Sequence, residues 1–336
     1  MKNKSLNQWT CRFALAGVTL MGLPAVAADA TMLDSSVVPG PAEAAKDESG
    51  RLPITASIGG SEQFKSEIDK NNAGSFTLTR FNASIRVPVK LNDEFRLNTS
   101  FRYGLDYYSW DDIPANSSTL WDYINTIQGT AILAWSPQDS SFSYFGGGFA
   151  KMSAESGVAL NRAATGGGIV GLNYKVSDTL SIGGGLAVSS QLEDNAAVLP
   201  ILLAKWQFAD NWRLDLGMTD VATTGYGADV KWLFSQEWEF GIGLQVHKNK
   251  FRIEGNQNDT STLWNGANTK NGVATEQAAT IYLDSTWHAS EKVDFGAFAG
   301  VASGGKLKLA DSSGNNEVKE DYKAAAILGL KASVRF

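Results

Sequence analysis

Thirteen consecutive residues, "FRLNTSFRYGLDY" from Phe95 to Tyr107, alternate almost without a break. Phe95, Leu97, Thr99, Phe101, Tyr103, Leu105 and Tyr107 hold the odd positions, and Arg96, Asn98, Ser100, Arg102, Gly104 and Asp106 the even ones. At 3.6 residues per turn such a run would scatter its apolar side chains around a helix. At a period of two it gathers them on one face of a strand. The preceding run "FNASIRVPVKL" behaves in the same way and is joined to it by "NDE", so the two predict a hairpin. Further alternating pairs follow as far as "DYKAAAILGLKASVRF", and no window beyond Leu52 carries a long apolar run. The chain is therefore read as all-β, built from strands with one oily and one wet face.

The N-terminus obeys a different rule. Lys2, Lys4 and Arg12 precede and flank the apolar "FALAGVTLMGL", and "AVAA" ends on small residues, which is the layout of a cleavable export signal over residues 1–28. The apolar stretch is short for a spanning helix of about 20 residues. Residues 29–51, rich in Ala, Ser, Pro and charge, read as a flexible periplasmic lead-in, and residues 52–336 as the folded unit. The single cysteine, Cys11, falls within the signal, so no thiol chemistry is expected after processing. Losing three basic residues with the signal moves the formal charge from −6 to −9, which argues against nucleic acid as a partner. No cofactor or metal site is expected. The "GGG" runs at 146–148, 166–168 and 183–185 open no evident helix, so they are not phosphate loops.

The connections alternate in length. One set is short and polar, near Asp93, Gln138, Asp178, Asp210, Gln236 and Glu291; the other is longer, as in "RIEGNQNDTSTLWNGANTKNG" from Arg252 to Gly272. Short turns at one end and long loops at the other are the habit of outer-membrane barrels. Trp135, Trp206, Trp212, Trp232, Trp238 and Trp287 all sit within a few residues of a short turn, on the apolar face where parity can be read. An indole ring favours the headgroup level, so these six read as a periplasmic aromatic girdle. A soluble sandwich would explain the alternation but not the gathering of Trp at one class of turn.

The last strand keeps one parity from Tyr322 to the terminal Phe336 and resembles the final strand of outer-membrane barrels, which the barrel-assembly machinery recognises, so Phe336 is expected to be an assembly signal. Counting runs predicts a transmembrane antiparallel up-and-down β-barrel of about 14 strands, within a range of 12 to 16, with "PITASIGG" and "AATGGGIVGL" the least regular stretches. The arrangement resembles fourteen-stranded monomeric porins, and the run from Val198 to Phe251 is similar to an uncharacterised bacterial outer-membrane barrel family. These resemblances imply a bacterial outer-membrane location. They imply contact with outer-membrane lipid and lipopolysaccharide, and a monomer.

If the apolar face meets lipid, the other lines a lumen. Arg86, Lys90, Arg96, Arg102, Lys331 and Arg335 fall there on the second, third and last strands, and Asp215, Asp229, Glu239, Asp284 and Asp294, mixed with Arg213 and Lys231, on the ninth to thirteenth. The mid-lumen set is expected to be Arg86, Arg102, Asp106, Asp229, Asp284 and Lys331. It would act either as a field across a wet pore or as charges paired with neighbours such as Arg213 with Asp215 and Asp229 with Lys231. No catalytic residue is assigned. His288, with Ser290 two residues on, resembles a spacing of barrel lipid hydrolases but falls at an inner turn, and His247 falls at the outer end. Asp111, Asp112, Glu317, Glu320 and Asp321 suggest binding of divalent cations or of ions that bridge lipopolysaccharide or, more simply, a solvated loop surface. The expected function is a porin-like channel for passive diffusion of small polar solutes or ions. The alternative is a closed or narrow barrel with an envelope or surface-binding role, and a lipid hydrolase is the least favoured reading.

Overall fold

A computed structural model describes residues 52–69, 74–112, 120–219, 221, 224–255, 270–315 and 317–336. The expected signal peptide and lead-in, residues 1–51, lie outside the described residues. The chain forms one antiparallel sheet in which each strand pairs with its neighbours in sequence: β1 (Thr55–Glu67), β2 (Ser75–Lys90), β3 (Phe95–Asp111), β4 (Tyr123–Trp135), β5 (Phe142–Glu155), β6 (Ala164–Lys175), β7 (Leu180–Gln191), β8 (Asp194–Ala209), β9 (Trp212–Thr219), β10 (Gly225–Leu233), β11 (Trp238–Arg252), β12 (Val273–Ser290) and β13 (Val293–Ala310). The segments β14 (Val318–Tyr322) and β15 (Ala325–Arg335) both pair with β13 and together make the fourteenth strand. Because β1 pairs with β15 as well as with β2, the sheet closes on itself. The result is a closed up-and-down barrel of fourteen strands.

The two irregular stretches join it as β1 and β6, and the hairpin around "NDE" is in place, with Lys90 opposite Arg96. Outward positions are apolar and exposed, among them Ile58, Phe81, Phe101, Val170, Leu202, Ile242, Leu283 and Leu330. Among the described residues no helix is long and apolar enough to cross a membrane. The crossing elements are strands, whose backbone groups find partners in the neighbouring strands.

The barrel is not evenly round. β9 and β10 are only 8 and 9 residues long, and β8 pairs with β9 only up to Ala204 opposite Leu216. The outer stretch of β8, from Asp194 to Leu203, has no partner on that side. Pro200, which has no N–H to leave unsatisfied, lies within it, and the Tyr226 hydroxyl donates to the Leu202 carbonyl at 2.7 Å. The β9–β10 tip bends inward instead: Val221 packs near Tyr282, Phe298 and Ile327, and Gln245 Nε2 donates to the Thr219 carbonyl at 2.8 Å. The outer end of β11 leaves β10 and touches β5 across the lumen, with Arg252 opposite Ala154.

Side chains follow from this flattening. At Gly171 an added Cβ would come within 2.3 Å of the Phe145 ring, and at Gly305 within 2.0 Å of the Tyr322 ring. Glycine at these inward positions lets an aromatic ring lie flat on the wall. Part of the Gly-rich pattern of the middle strands is thus explained by rings packed inside the barrel.

Candidate functional site

The lumen is organised in layers along the barrel axis. At the short-turn end the inward charges of β9 to β15 pair with one another. Arg213 Nε donates to Asp215 at 2.7 Å and its Nη2 to Glu239 at 3.3 Å. His288 Nδ1 lies 2.7 Å from Asp294, which Arg335 also bonds. Lys90 Nζ meets Asp93 at 2.5 Å. The proposed acidic wall is therefore neutralised by its own bases, strand by strand.

One layer up, Lys231 Nζ bonds Asp284 at 2.5 Å and the Tyr282 hydroxyl bonds Asp229. Lys231 thus serves Asp284 rather than its strand neighbour Asp229, because the register places β10 and β12 on either side of Gly241 and Gly243, which leave the space between them open. Asp284 Oδ1 is buried with no partner among the described residues.

The next layer holds the densest charge. Glu276 on β12 accepts from Tyr322 Oη at 2.6 Å, lies 2.9 Å from His247 Nε2 and pairs with Arg80 Nη2 at 3.2 Å. Asn249 Nδ2 donates to Asp106 at 3.1 Å, and Lys151 Nζ donates to Asn249 Oδ1 at 3.1 Å. These bonds run from β2, β3 and β5 to β11 and β12, across the lumen. They surround a cavity of about 100 Å³ that Arg102, Gln128 and Thr224 also line, enough for several waters or a small polar solute. His247 Nδ1 is buried with no partner among the described residues.

Above this layer the lumen turns apolar. Phe76 and Leu78 on β2, Tyr108 on β3, Trp121 and Ile124 at β4, Phe251 on β11 and Leu307 on β13 form one buried cluster. Trp121 packs edge-on against Trp110 at 5.2 Å and Phe251 at 5.6 Å, and Tyr108 from the facing wall lies 6.2 Å from Phe251. A wide, round barrel would hold those walls apart. Tyr322 joins the two layers, stacking edge-on with Phe76 at 5.0 Å while bonding Glu276.

The residues expected in mid-lumen are thus distributed. Arg102 and Asp106 line the central cavity, and Asp229 and Asp284 form the layer below it. Arg86 stands opposite Thr55 and Lys331 opposite Gly59, both on inward positions flanking β1. The reading from sequence missed Arg80, Lys151, His247 and Glu276 as one group. Each had lumen parity, but only the flattening, which parity cannot show, brings them together. His288 is held between Asp294 and Glu239, and Ser290 Oγ accepts from the Lys292 amide at 3.3 Å in its turn.

Outside, the six tryptophans are all exposed, and they stack on neighbouring aromatic rings: Trp135 with Phe95 and Tyr144, Trp212 with Phe208 and Trp232, Trp238 with Phe240 and Trp287, and Trp287 with Phe295. They gather at the short-turn end in two groups, one around Trp135 and one running from Trp206 to Phe295. Phe336 is exposed at the same end, with its amide on the Ile54 carbonyl at 2.9 Å.

A closed strand cylinder with an apolar outer belt and a charged, filled interior defines an outer-membrane β-barrel, and the bacterial outer membrane is where such a cylinder resides. Residues 54–335 match the model of the family described as "Domain of unknown function (DUF6268)", and the chain belongs to that family. No curated protein matches it. Among solved structures it is similar to a Pseudomonas aeruginosa FadL homologue, at 11% identity and TM-score 0.45, covering 84% of this chain and 90% of that one. It is also similar to the NanC porin, at 11% and 0.35 with 84% and 100% covered, and to the Pseudomonas putida toluene transporter TodX, at 8% and 0.36 with 84% and 89% covered. At this distance none of them informs what this barrel carries.

Proposed function

We propose that the protein is a porin-like channel for passive diffusion of small polar solutes or ions, with its selectivity set in mid-lumen and its outer end narrowed by the aromatic cluster. The carrying observation is the charged cavity itself. It is polar and large enough for a solute, and His247, which lines it, has a buried ring nitrogen with no partner among the described residues. A buried polar atom without a partner is costly, and a solute or water in the cavity relieves it. In this reading Arg86, Arg102, Asp106, Asp229, Asp284 and Lys331 line the path, joined by Arg80, Lys151, His247 and Glu276. The six tryptophans anchor the barrel at the periplasmic interface, and Phe336 serves assembly. Catalysis has no part in it, since His288 and Ser290 are each engaged elsewhere.

A second reading is favoured by a specific observation. The cluster around Trp121 and the β5–β11 contact close the outer end of the lumen, which suits a closed barrel with an envelope or surface role. Planar-bilayer conductance separates the two. A channel gives stable steps that become longer or more frequent in Trp121→Ala, and a reversal potential under a salt gradient that shifts toward cations in Arg102→Glu. A folded, heat-modifiable barrel that conducts in neither form refutes the channel.

A further inference from the structure

The outer face of β11 to β14 breaks the rule of the rest of the barrel. Outward parity from the exposed Ile242 places Lys248 and Lys250 of β11 on the outside; on β13 a register shift between Ser303 and Lys306 reverses the parity of the exposed Val301, so that Lys306 and Lys308 pair with Gln277 and Thr275 and face outward, with Lys319 of β14 opposite Lys308. The register aligns them in rows: Lys248 beside Gln277, then Lys306 and Asp321; Lys250 beside Thr275, then Lys308 and Lys319.

Their height is informative. Trp238 pairs with Trp287 and Lys248 pairs with Gln277, ten residues along each strand. Ten residues at about 3.4 Å each on a strand tilted by roughly 40° rise about 26 Å, which is the height of the apolar band of an outer-membrane barrel. If the tryptophans mark one interface, the lowest lysine row marks the other. Counting ten residues from Phe95 and Trp135 on the opposite wall reaches Leu105, paired with Phe81 and Asn125, which carry no charge. The basic row is a local feature and not a general outer rim.

The row is also crowded. Lys308 stands directly opposite Lys319, an arrangement that destabilises an antiparallel pair unless an anion intervenes. Glu317 does so in part, at 3.7 Å from Lys308 and 2.8 Å from Lys319. Lys250 pairs with Asp194 at 3.2 Å and Arg252 with Glu193. With Arg252 buried against Glu193 and Asp321 opposite Lys306, five lysines (Lys248, Lys250, Lys306, Lys308 and Lys319) face three carboxylates, so the face stays basic although the whole chain is acidic. The acidic group around Glu317 and Asp321 is thus embedded among lysines.

We propose that this face binds the phosphate groups of an outer-leaflet glycolipid of lipid A type, with its acyl chains against the apolar belt below and its phosphates on Lys248, Lys306 and Lys308. Binding should depend on phosphate and weaken with salt, because the half-buried lysines act as point charges at the surface.

The test uses the full-length protein refolded in detergent, with native mass spectrometry counting bound lipid A. At roughly fivefold per lysine near a charged lipid surface, the triple variant Lys248→Gln, Lys306→Gln and Lys308→Gln should bind about 100-fold more weakly. A control variant Lys175→Gln, at the short-turn end of β6 on the far side of the sheet, should bind as the parent does. Should the triple variant not fold, Lys306→Gln alone is expected to show the fivefold loss. Equal binding of dephosphorylated lipid A, or an unchanged triple variant, overturns the proposal. Displacement of lipid A by millimolar inorganic phosphate would assign the lysines to a free anion and overturn the lipid assignment.

Discussion

Removing the charge of Glu276 is the sharpest test of the central layer. The carboxylate is buried and meets Arg80 at 3.2 Å, His247 at 2.9 Å and Tyr322 at 2.6 Å. At an effective dielectric constant near 20 a unit pair at that Arg80 distance interacts by about 5 kcal/mol, before the cost of taking both groups out of water. In Glu276→Gln the Tyr322 and His247 contacts can be kept by an amide oxygen, but the Arg80 guanidinium is left without its counter-charge in a place where its side chain is only 10% exposed. Breaking a buried pair from one side costs about 3–5 kcal/mol. Removing both charges, in Glu276→Gln with Arg80→Gln, should recover at least about 2 kcal/mol of that loss. Urea unfolding of the barrel in lipid vesicles, followed by tryptophan fluorescence, gives the double-mutant cycle. A loss below about 1 kcal/mol for Glu276→Gln, or strict additivity of the two changes, would show that the pair is solvated and that the layer is not a closed polar network.

Tyr226→Phe removes the hydroxyl that donates to the Leu202 carbonyl on the free edge of β8 and should cost about 1 kcal/mol of stability, with faster hydrogen exchange confined to β8; uniform exchange across the barrel would contradict the free edge. The exposed tryptophans should be quenched by shallow lipid-borne quenchers more than by deep ones, and equal quenching by aqueous iodide would remove the girdle.

The two-residue period carried most of the architecture. It marked the β2–β3 hairpin, set which residues face inward from Arg86 to Lys331, and gave a strand count that the register bears out. It could not show where opposite walls meet, because parity assigns a face and not a partner across the lumen. Phe76, Tyr108 and Phe251 show the limit. Each breaks the apolar-out rule by being aromatic on the inward side, and each lies in the outer part of its strand. Grouped by height, those exceptions would have suggested an apolar seal. His247 and Glu276 follow the polar-inside rule, so nothing local distinguished them from lumen residues that merely face water.

The short β9–β10 pair supplies the cause that links these observations. Strands that end halfway up cannot complete a fourteen-strand perimeter at the outer end, so β11 must find another neighbour, and it reaches β5. That crossing narrows the outer lumen and brings β3 within ring contact of β11. Apolar inward side chains are then favourable there, since they bury against one another instead of facing water. Just below, the same narrowing sets Lys151 and Asp106 on either side of Asn249 and Arg80 against Glu276. It also explains why lysines are tolerated on the outside of β11, because Lys250 and Arg252 are covered by the β7–β8 turn through Asp194 and Glu193 rather than by acyl chains. Lengthening the β9–β10 hairpin by four residues of alternating pattern, to pair with β8 above Ala204, would compete directly with that crossing. The expected result is a rounder, more conductive barrel in which a cysteine pair at Ala154 and Arg252 no longer forms a disulfide. An unchanged cross-link in the lengthened barrel would show that β5 and β11 hold each other independently, and that the short pair is a consequence of the closure rather than its cause.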